Sequence, residues 1–344
     1  MLEKMLGQRA IPSLLLKEEM LDIILREEYG YMPPKPDSIK WQVRERIIRD
    51  FCAGKARVNQ VTAICKMGKK EFAFPFYTCI PSGEGTYPFF IHINLSDSIQ
   101  DRYMPTEELV DNGYAVLTFG YEDVSKDNND LTDGLAGILY PDGKRGPSDA
   151  GKIAMWAWAA QRVMDYAETR SDVLDLKRSI VCGHSRLGKT ALLAGATDER
   201  FQMVYSNNSG CSGAAITRAK YGERVDVICR VFPYWFCENY AKYKNAEETM
   251  PFDQHYLVAS IAPRKVLVGS AAEDFWADPI SELLGCVAAG PAFGGFICED
   301  KLPEIGDKYF ESDIGYHMRK GRHYFSREDW QRLIEFANKK FADL

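Results

Sequence analysis

Several things are scarce in this chain. No apolar run approaches the roughly 20 residues that a membrane-spanning helix needs, so no span is expected. Basic residues are not in excess: 43 Lys and Arg face 49 Asp and Glu, a formal net charge of −6. That balance argues against nucleic acid or an anionic membrane surface as the main partner. No C-x-x-C pair occurs among the nine cysteines, an odd number. Cys79 and Cys182 lie in strand-like runs and read as buried reduced thiols, against a disulfide scaffold. This points to a cytoplasmic home, although a mature secreted form would look the same. The early apolar run Ile11 to Leu16 is broken by Pro12 and Ser13 and lacks a small-residue cleavage site, so it does not read as a signal peptide. Internal repeats, low-complexity tracts and Gly/Ser/Pro linkers are also missing.

What is present is a core-forming composition. Of 344 residues, 46% are hydrophobic and 27% charged, which excludes a disordered chain. One domain, 1–344, is expected, with a helical extension over 1–40 and the main body over 41–344. Lys17 to Glu28 reads as a helix. W-Q-V-R-E-R-I-I-R-D, A-R-V-N-Q-V-T-A-I-C-K-M and F-A-F-P-F-Y-T-C-I-P alternate as an antiparallel meander. From Tyr87 onward apolar strand runs alternate with helical patterns, which implies an α/β fold: a three-layer αβα sandwich around a mostly parallel sheet. Between the first two such strands, P-T-E-E-L-V-D-N-G reads as a short helix with Thr106 as N-cap and Gly113 closing it. The polar stretch Glu122 to Ser148 is too long for a turn and reads as a functional or lid-like loop.

The informative segment runs from Val181 to Thr190, V-C-G-H-S-R-L-G-K-T, between a strand run and a helix run. It admits two readings. As G-x-x-x-x-G-K-[ST] it is a phosphate-binding loop, with Lys189 reaching phosphates and Thr190 holding magnesium. As a nucleophile elbow it thrusts Ser185 above the sheet and offers the Arg186 N–H to an oxyanion, although the second glycine of G-x-S-x-G falls one place late, at Gly188. The rest of the chain favours the elbow. The phosphate loop wants a later strand ending directly in Asp, and K-V-L-V-G-S-A does not. The elbow wants an acid after a later strand and then a histidine before the last helix. Glu273 and Asp274 follow K-V-L-V-G-S-A, and His323 lies in a loop before the final helix. Of the five histidines, His92 and His317 sit in strand runs, His255 in a helical stretch, and His184 adjoins Ser185 and is expected to point away from it. That leaves His323 as the general base, since a serine without a base is a poor nucleophile.

At these residues the chain resembles carbohydrate esterase family 15, the glucuronoyl esterases. The resemblance rests on G-H-S-R-L-G-K, N-N-S-G-C-S-G-A-A, F-P-Y-W-F, P-F-D-Q-H, I-A-P-R, E-D-F-W-A-D-P and G-R-H, spread over about residues 145–343. It implies an α/β-hydrolase fold and a serine esterase, without metal or cofactor, acting on esters of 4-O-methyl-glucuronic acid. By this resemblance Ser185 matches the nucleophile, His323 the base, Arg186 an oxyanion-supporting side chain, and Lys189, Glu223 and Trp276 sugar-binding positions. One departure stands out. Many members carry the triad acid in E-S-G, and here that position is Asn208. The acid must then come from the later loop, with Asp274 expected and Glu273 its rival. Phe232, Tyr234, Trp235 and Phe236 read as packing beside the site, and Asp253 and His255 as structural. Acetyl xylan or another carbohydrate ester is the neighbouring substrate reading, and a nucleotide-binding phosphate loop the distant one.

Overall fold

The computed structural model describes residues 1–99 and 101–342. Three long strands, β1 (Ser38–Ile48), β2 (Ala56–Met67) and β3 (Lys70–Pro81), form the antiparallel meander the alternation predicts. There follow β4 (Tyr87–Asn94), β5 (Ala115–Gly120), β6 (Leu174–His184), β7 (Met203–Asn207), β8 (Lys265–Ala271), the short β9 (Lys308–Tyr309) and β10 (Ile314–Arg319). All ten pair into one sheet of order β1-β2-β3-β5-β4-β6-β7-β8-β10-β9. From β5 through β10 the neighbours run parallel, and the meander and β9 are antiparallel edges.

Period-two alternation decides which face each side chain covers. Phe89, Ile91 and Ile93 of β4 and Val181 of β6 join the larger core, with helices Lys152–Glu168 and Arg186–Thr197. Phe90, Ile180 and Cys182 face the other way, toward helices Thr106–Asp111 and Arg327–Lys340. The result is three layers. Helix Thr106–Asp111 differs from expectation in its cap. Pro105 holds the N-cap position, and Thr106 is already helical, its hydroxyl donating to the Ile99 carbonyl at 3.2 Å.

The first forty residues pack into the body. Leu2, Leu6, Met20, Ile24 and Tyr29 are buried in the larger core. The expected helix is α-helical over Lys17–Ile24 and continues as a π turn, Leu25–Tyr29. That turn delivers Glu28 to the interior, where both carboxyl oxygens accept from Gln254 Nε2, at 3.1 and 3.0 Å. Burial pushes the Glu28 carboxyl up from 4.5 to about 8. A carboxyl raised by folding costs nothing below its unfolded range, and a growing amount between about 4.5 and about 8. Glu28→Gln is therefore expected to be more stable than wild type at pH 8, by a few kcal/mol, with the advantage shrinking toward pH 5. Urea midpoints at the two pH values check this; a pH-independent difference counts against it.

Candidate active site

The site forms where β6, β7 and β8 end. Ser185 stands between the last residue of β6 and the first turn of helix Arg186–Thr197, at φ 59° and ψ −125°. A side chain bears such a backbone only where its surroundings impose it. Its N–H donates to the Asn207 carbonyl at 2.8 Å, and its carbonyl accepts from Gly188 and Lys189. A Cβ at Gly183 would sit on the Leu187 carbonyl, so the turn closes only with glycine there. The Arg186 N–H belongs to the first helical turn, whose donors lack intrahelical partners. Ser185 Oγ makes no hydrogen bond among the described residues; the bond between nucleophile and base is commonly loose before substrate binds.

His323 lies in the loop after β10, its side chain 43% exposed, with Nδ1 2.6 Å from Asp274 Oδ2. Asp274 is buried. Asn208 Nδ2 donates to the same Oδ2 at 2.9 Å, and the Ala277 N–H to Oδ1 at 3.3 Å. Burial alone would raise the Asp274 pKa; the bonds from His323, Asn208 and Ala277 outweigh it, and the net shift is downward. Glu273 turns outward to a long ion pair with Arg322, at 3.7 Å. So Asp274, not Glu273, meets the imidazole. Asn208, at the position expected to have lost the acid, is in left-handed backbone (φ 46°) and its amide donates to the Asp274 carboxylate.

His184 packs its ring against this group. Its ring packs 4.5 Å from that of His323, and Nδ1 meets Asn207 Oδ1 at 2.7 Å. Burial, then the neighbouring His323, pushes it down to about 3, so it stays neutral beneath the His323 ring. His92 and His317 are buried in their strands, and His255 Nε2 bonds the Pro12 carbonyl. Asp253 accepts from the Thr217 N–H and pairs with Arg218.

The phosphate-loop reading does not survive. Lys189 is buried, and its ammonium donates to the Ser209 carbonyl at 2.6 Å. Thr190 is buried too, its hydroxyl spent on the Arg186 carbonyl. Neither group lines a phosphate cradle. Burial lowers the Lys189 pKa, and Glu223 opposes that shift.

Glu223 and Trp276 sit on two loops stitched together. Lys220 Nζ donates to the carbonyls of Tyr221, Glu223 and Trp276. Gly222 (φ 69°) rests on the Phe275 and Trp276 carbonyls, where no Cβ fits. Glu223 is only 9% exposed, yet its carboxylate has no hydrogen-bond partner among the described residues. Trp276 is 54% exposed, which sets aside a core role. Phe232 and Trp235 stack at 3.8 Å, with Tyr234, Trp235 and Phe236 buried as expected of packing.

Arg186 does something the sequence did not reveal. Its guanidinium forms an ion pair with Asp127 and lies over the Trp235 ring, 4.8 Å from its centre. Asp127 belongs to the long polar stretch, where it is one of many Asp and Asn residues and has no spacing signal of its own.

A largely parallel sheet with a strained serine turn between strand and helix is the arrangement of the α/β-hydrolase fold. The fungal glucuronyl esterase family model matches residues 64–293. The chain belongs to this family, the glucuronoyl esterases of carbohydrate esterase family 15. It is 42% identical over 238 residues to carbohydrate esterase MZ0003 of an unknown prokaryotic organism, covering 67% of this chain and 55% of that one. It is 28% identical to the 4-O-methyl-glucuronoyl methylesterase of Thermothelomyces thermophilus, over 80% of this chain and 65% of that one. The chain thus spans between about half and two thirds of these two relatives' lengths. Among solved structures, the glucuronoyl esterase from Solibacter usitatus superposes with a TM-score of 0.84 at 31% identity, covering 94% of this chain and 91% of that one. A promiscuous family 15 esterase from a marine bacterial metagenome gives 0.82 at 32% identity, covering 94% and 90%. Among the described residues, no helix is long and apolar enough to cross a membrane.

Proposed function

We propose that this protein hydrolyses esters of glucuronic acid, including its 4-O-methyl form, through an acyl-enzyme on Ser185. The observation that carries this reading is the 2.6 Å contact of His323 with buried Asp274, beside a serine held at φ 59°. In this scheme His323 Nε2 takes the Ser185 proton as Oγ attacks the ester carbonyl, then returns it to the leaving alcohol. Asp274 fixes the imidazole tautomer and balances its charge. The Arg186 N–H and guanidinium face the oxygen that becomes negative, where one donor is worth about 3–4 kcal/mol of barrier. The Glu223 carboxylate accepts from sugar hydroxyls and exposed Trp276 offers a face for the ring, while Lys189, buried with its ammonium on the Ser209 carbonyl, supports the Glu223 charge from within. The relatives named as glucuronoyl methylesterases support the uronate as acyl group. Eight buried free thiols fit a reducing compartment, which favours short uronate esters inside the cell as substrates. Finding the protein in culture medium would overturn that placement.

The test is turnover of benzyl and methyl glucuronate, with p-nitrophenyl acetate alongside. Wild type is expected to cleave the uronate esters, Ser185→Ala to lose roughly six orders of magnitude in kcat, and Glu273→Gln to retain activity. A serine-directed fluorophosphonate is expected to label Ser185. Cleavage of acetate alone would keep the triad and discard the uronate.

A further inference from the structure

The long polar stretch before helix Lys152–Glu168 is tied down over residues 125–133 by the first turns of that helix. Lys152 is wholly buried, and its ammonium donates to the carbonyls of Lys126 and Asp130, each at 2.6 Å, with Asn128 Oδ1 and Asp133 Oδ1 at 3.3 Å. Trp156 Nε1 donates to the Ser125 carbonyl at 3.0 Å. The first turns of one rigid helix therefore grip the backbone on either side of Asp127.

Asp127 itself faces inward, its side chain 8% exposed. Oδ1 accepts from Trp235 Nε1 at 2.7 Å, Oδ2 accepts from the Tyr121 hydroxyl at 3.0 Å, and its carbonyl accepts from the Tyr234 hydroxyl at 3.0 Å. The carboxylate also pairs with Arg186 Nη1. The guanidinium is thus fixed along one edge by Asp127 and across its face by the Trp235 and Phe232 rings, 4.8 and 5.5 Å away. Its Nε is buried and has no hydrogen-bond partner among the described residues.

A cation on the first turn of a helix opposes the dipole, and a long side chain there has many rotamers. Both costs are offset by a caged carboxylate that leaves guanidinium donors uncommitted beside the nucleophile. We propose that Asp127 is the positioning residue that aims the Arg186 guanidinium at the developing oxyanion. This rests on the reading of Arg186 given above. Asp127 need not touch substrate; it acts through Arg186. The same carboxylate neutralises part of the arginine charge, so its contribution is geometric.

The experiment is a double-mutant cycle on benzyl glucuronate with Asp127→Asn and Arg186→Ala. Asp127→Asn places an amide where the guanidinium needs an acceptor. It is expected to lower kcat roughly 10- to 100-fold with KM within about threefold, the size of effect a misplaced group produces. In the Arg186→Ala background the same change is expected to cost less than about twofold. Trp235→Phe, which keeps a smaller aromatic face under Arg186 and removes the N–H bonded to Asp127, covers the case in which Asp127→Asn fails to fold. It is expected to show a smaller kcat loss that also vanishes without Arg186. Independent, multiplying losses would overturn the proposal, as would a rise in KM with kcat unchanged. An Arg186→Ala enzyme as fast as wild type would overturn the oxyanion reading itself, a result distinguishable from a failure of Asp127 alone.

Discussion

Asp274→Asn is expected to lower kcat on a uronate ester by about four orders of magnitude, with little change in KM. An amide holds the imidazole in the wrong tautomer and leaves the imidazolium unbalanced, and a buried triad acid elsewhere shows a loss of this size. The site gives the substitution no relief. Glu273 faces outward toward Arg322, and Asn208 has no charge to lend. The geometry also indicates a route back. Asn208 Nδ2 lies 2.9 Å from the same oxygen that meets His323. A glutamate at 208, one methylene longer, reaches toward the imidazole once Asp274 is shortened. Asn208→Glu combined with Asp274→Ala is therefore expected to regain roughly 10- to 100-fold over Asp274→Ala alone. Single-turnover and steady-state rates on benzyl glucuronate check both statements. Full activity in Asp274→Asn would remove the aspartate from the triad.

The second large effect is expected at Arg319, which never touches the reaction. Its Nε donates to Asp329 Oδ2 at 2.6 Å, and both side chains are buried. Its remaining donors reach the carbonyls of Lys320, Arg322 and Tyr324, the backbone that carries His323. One guanidinium thus sets the loop of His323 and is anchored to the capping box of the last helix, where Ser326 and Asp329 bond reciprocally. Arg319→Met strands a buried carboxylate, which costs about 3–5 kcal/mol. The loss is expected to be pH-dependent. Burial already raises the Asp329 pKa, and the Arg319 charge, with the bonds from Ser326 and Arg319, opposes the rise. Without the arginine the folded state holds that proton to higher pH than the unfolded chain does, so stability falls as pH rises from about 4 through the raised value. Urea midpoints are expected to show a larger deficit at pH 8 than at pH 5, and kcat to fall as the His323 loop loosens. Adding Asp329→Asn is expected to flatten that pH dependence. A deficit equal at both pH values would count against the buried pair as its cause.

The two residues that carry these effects were legible to different degrees. Strand β8 matches the run K-V-L-V-G-S-A, because a doubly buried strand is a continuous apolar run. The elbow was legible from the glycine, the serine and their place between strand and helix. The choice of Asp274 over its neighbour was harder, since adjacent loop residues differ only in the direction a turn gives them. Asp127 and Arg319 were not legible. Their partners lie distant in sequence or along the backbone of a loop, and neither has a spacing pattern. The phosphate-loop match failed for a similar reason. Its lysine had the right spacing, but tertiary packing committed the ammonium to the Ser209 carbonyl.

The distribution of sulfur bears on the protein's chemical selectivity. Eight of the nine thiols are buried, and the ninth, Cys298, is half-buried with its thiol pushed up to about 11 by burial and by neighbouring Asp300. Cys182, three residues before Ser185, faces the core on the other side of the sheet. Thiolate is the reactive form of cysteine, and the folded chain exposes almost none of it at neutral pH. Electrophiles and oxidants that destroy many hydrolases through stray cysteines find only half-buried Cys298 to enter by, and none of the eight buried thiols competes with the hydroxyl at the elbow.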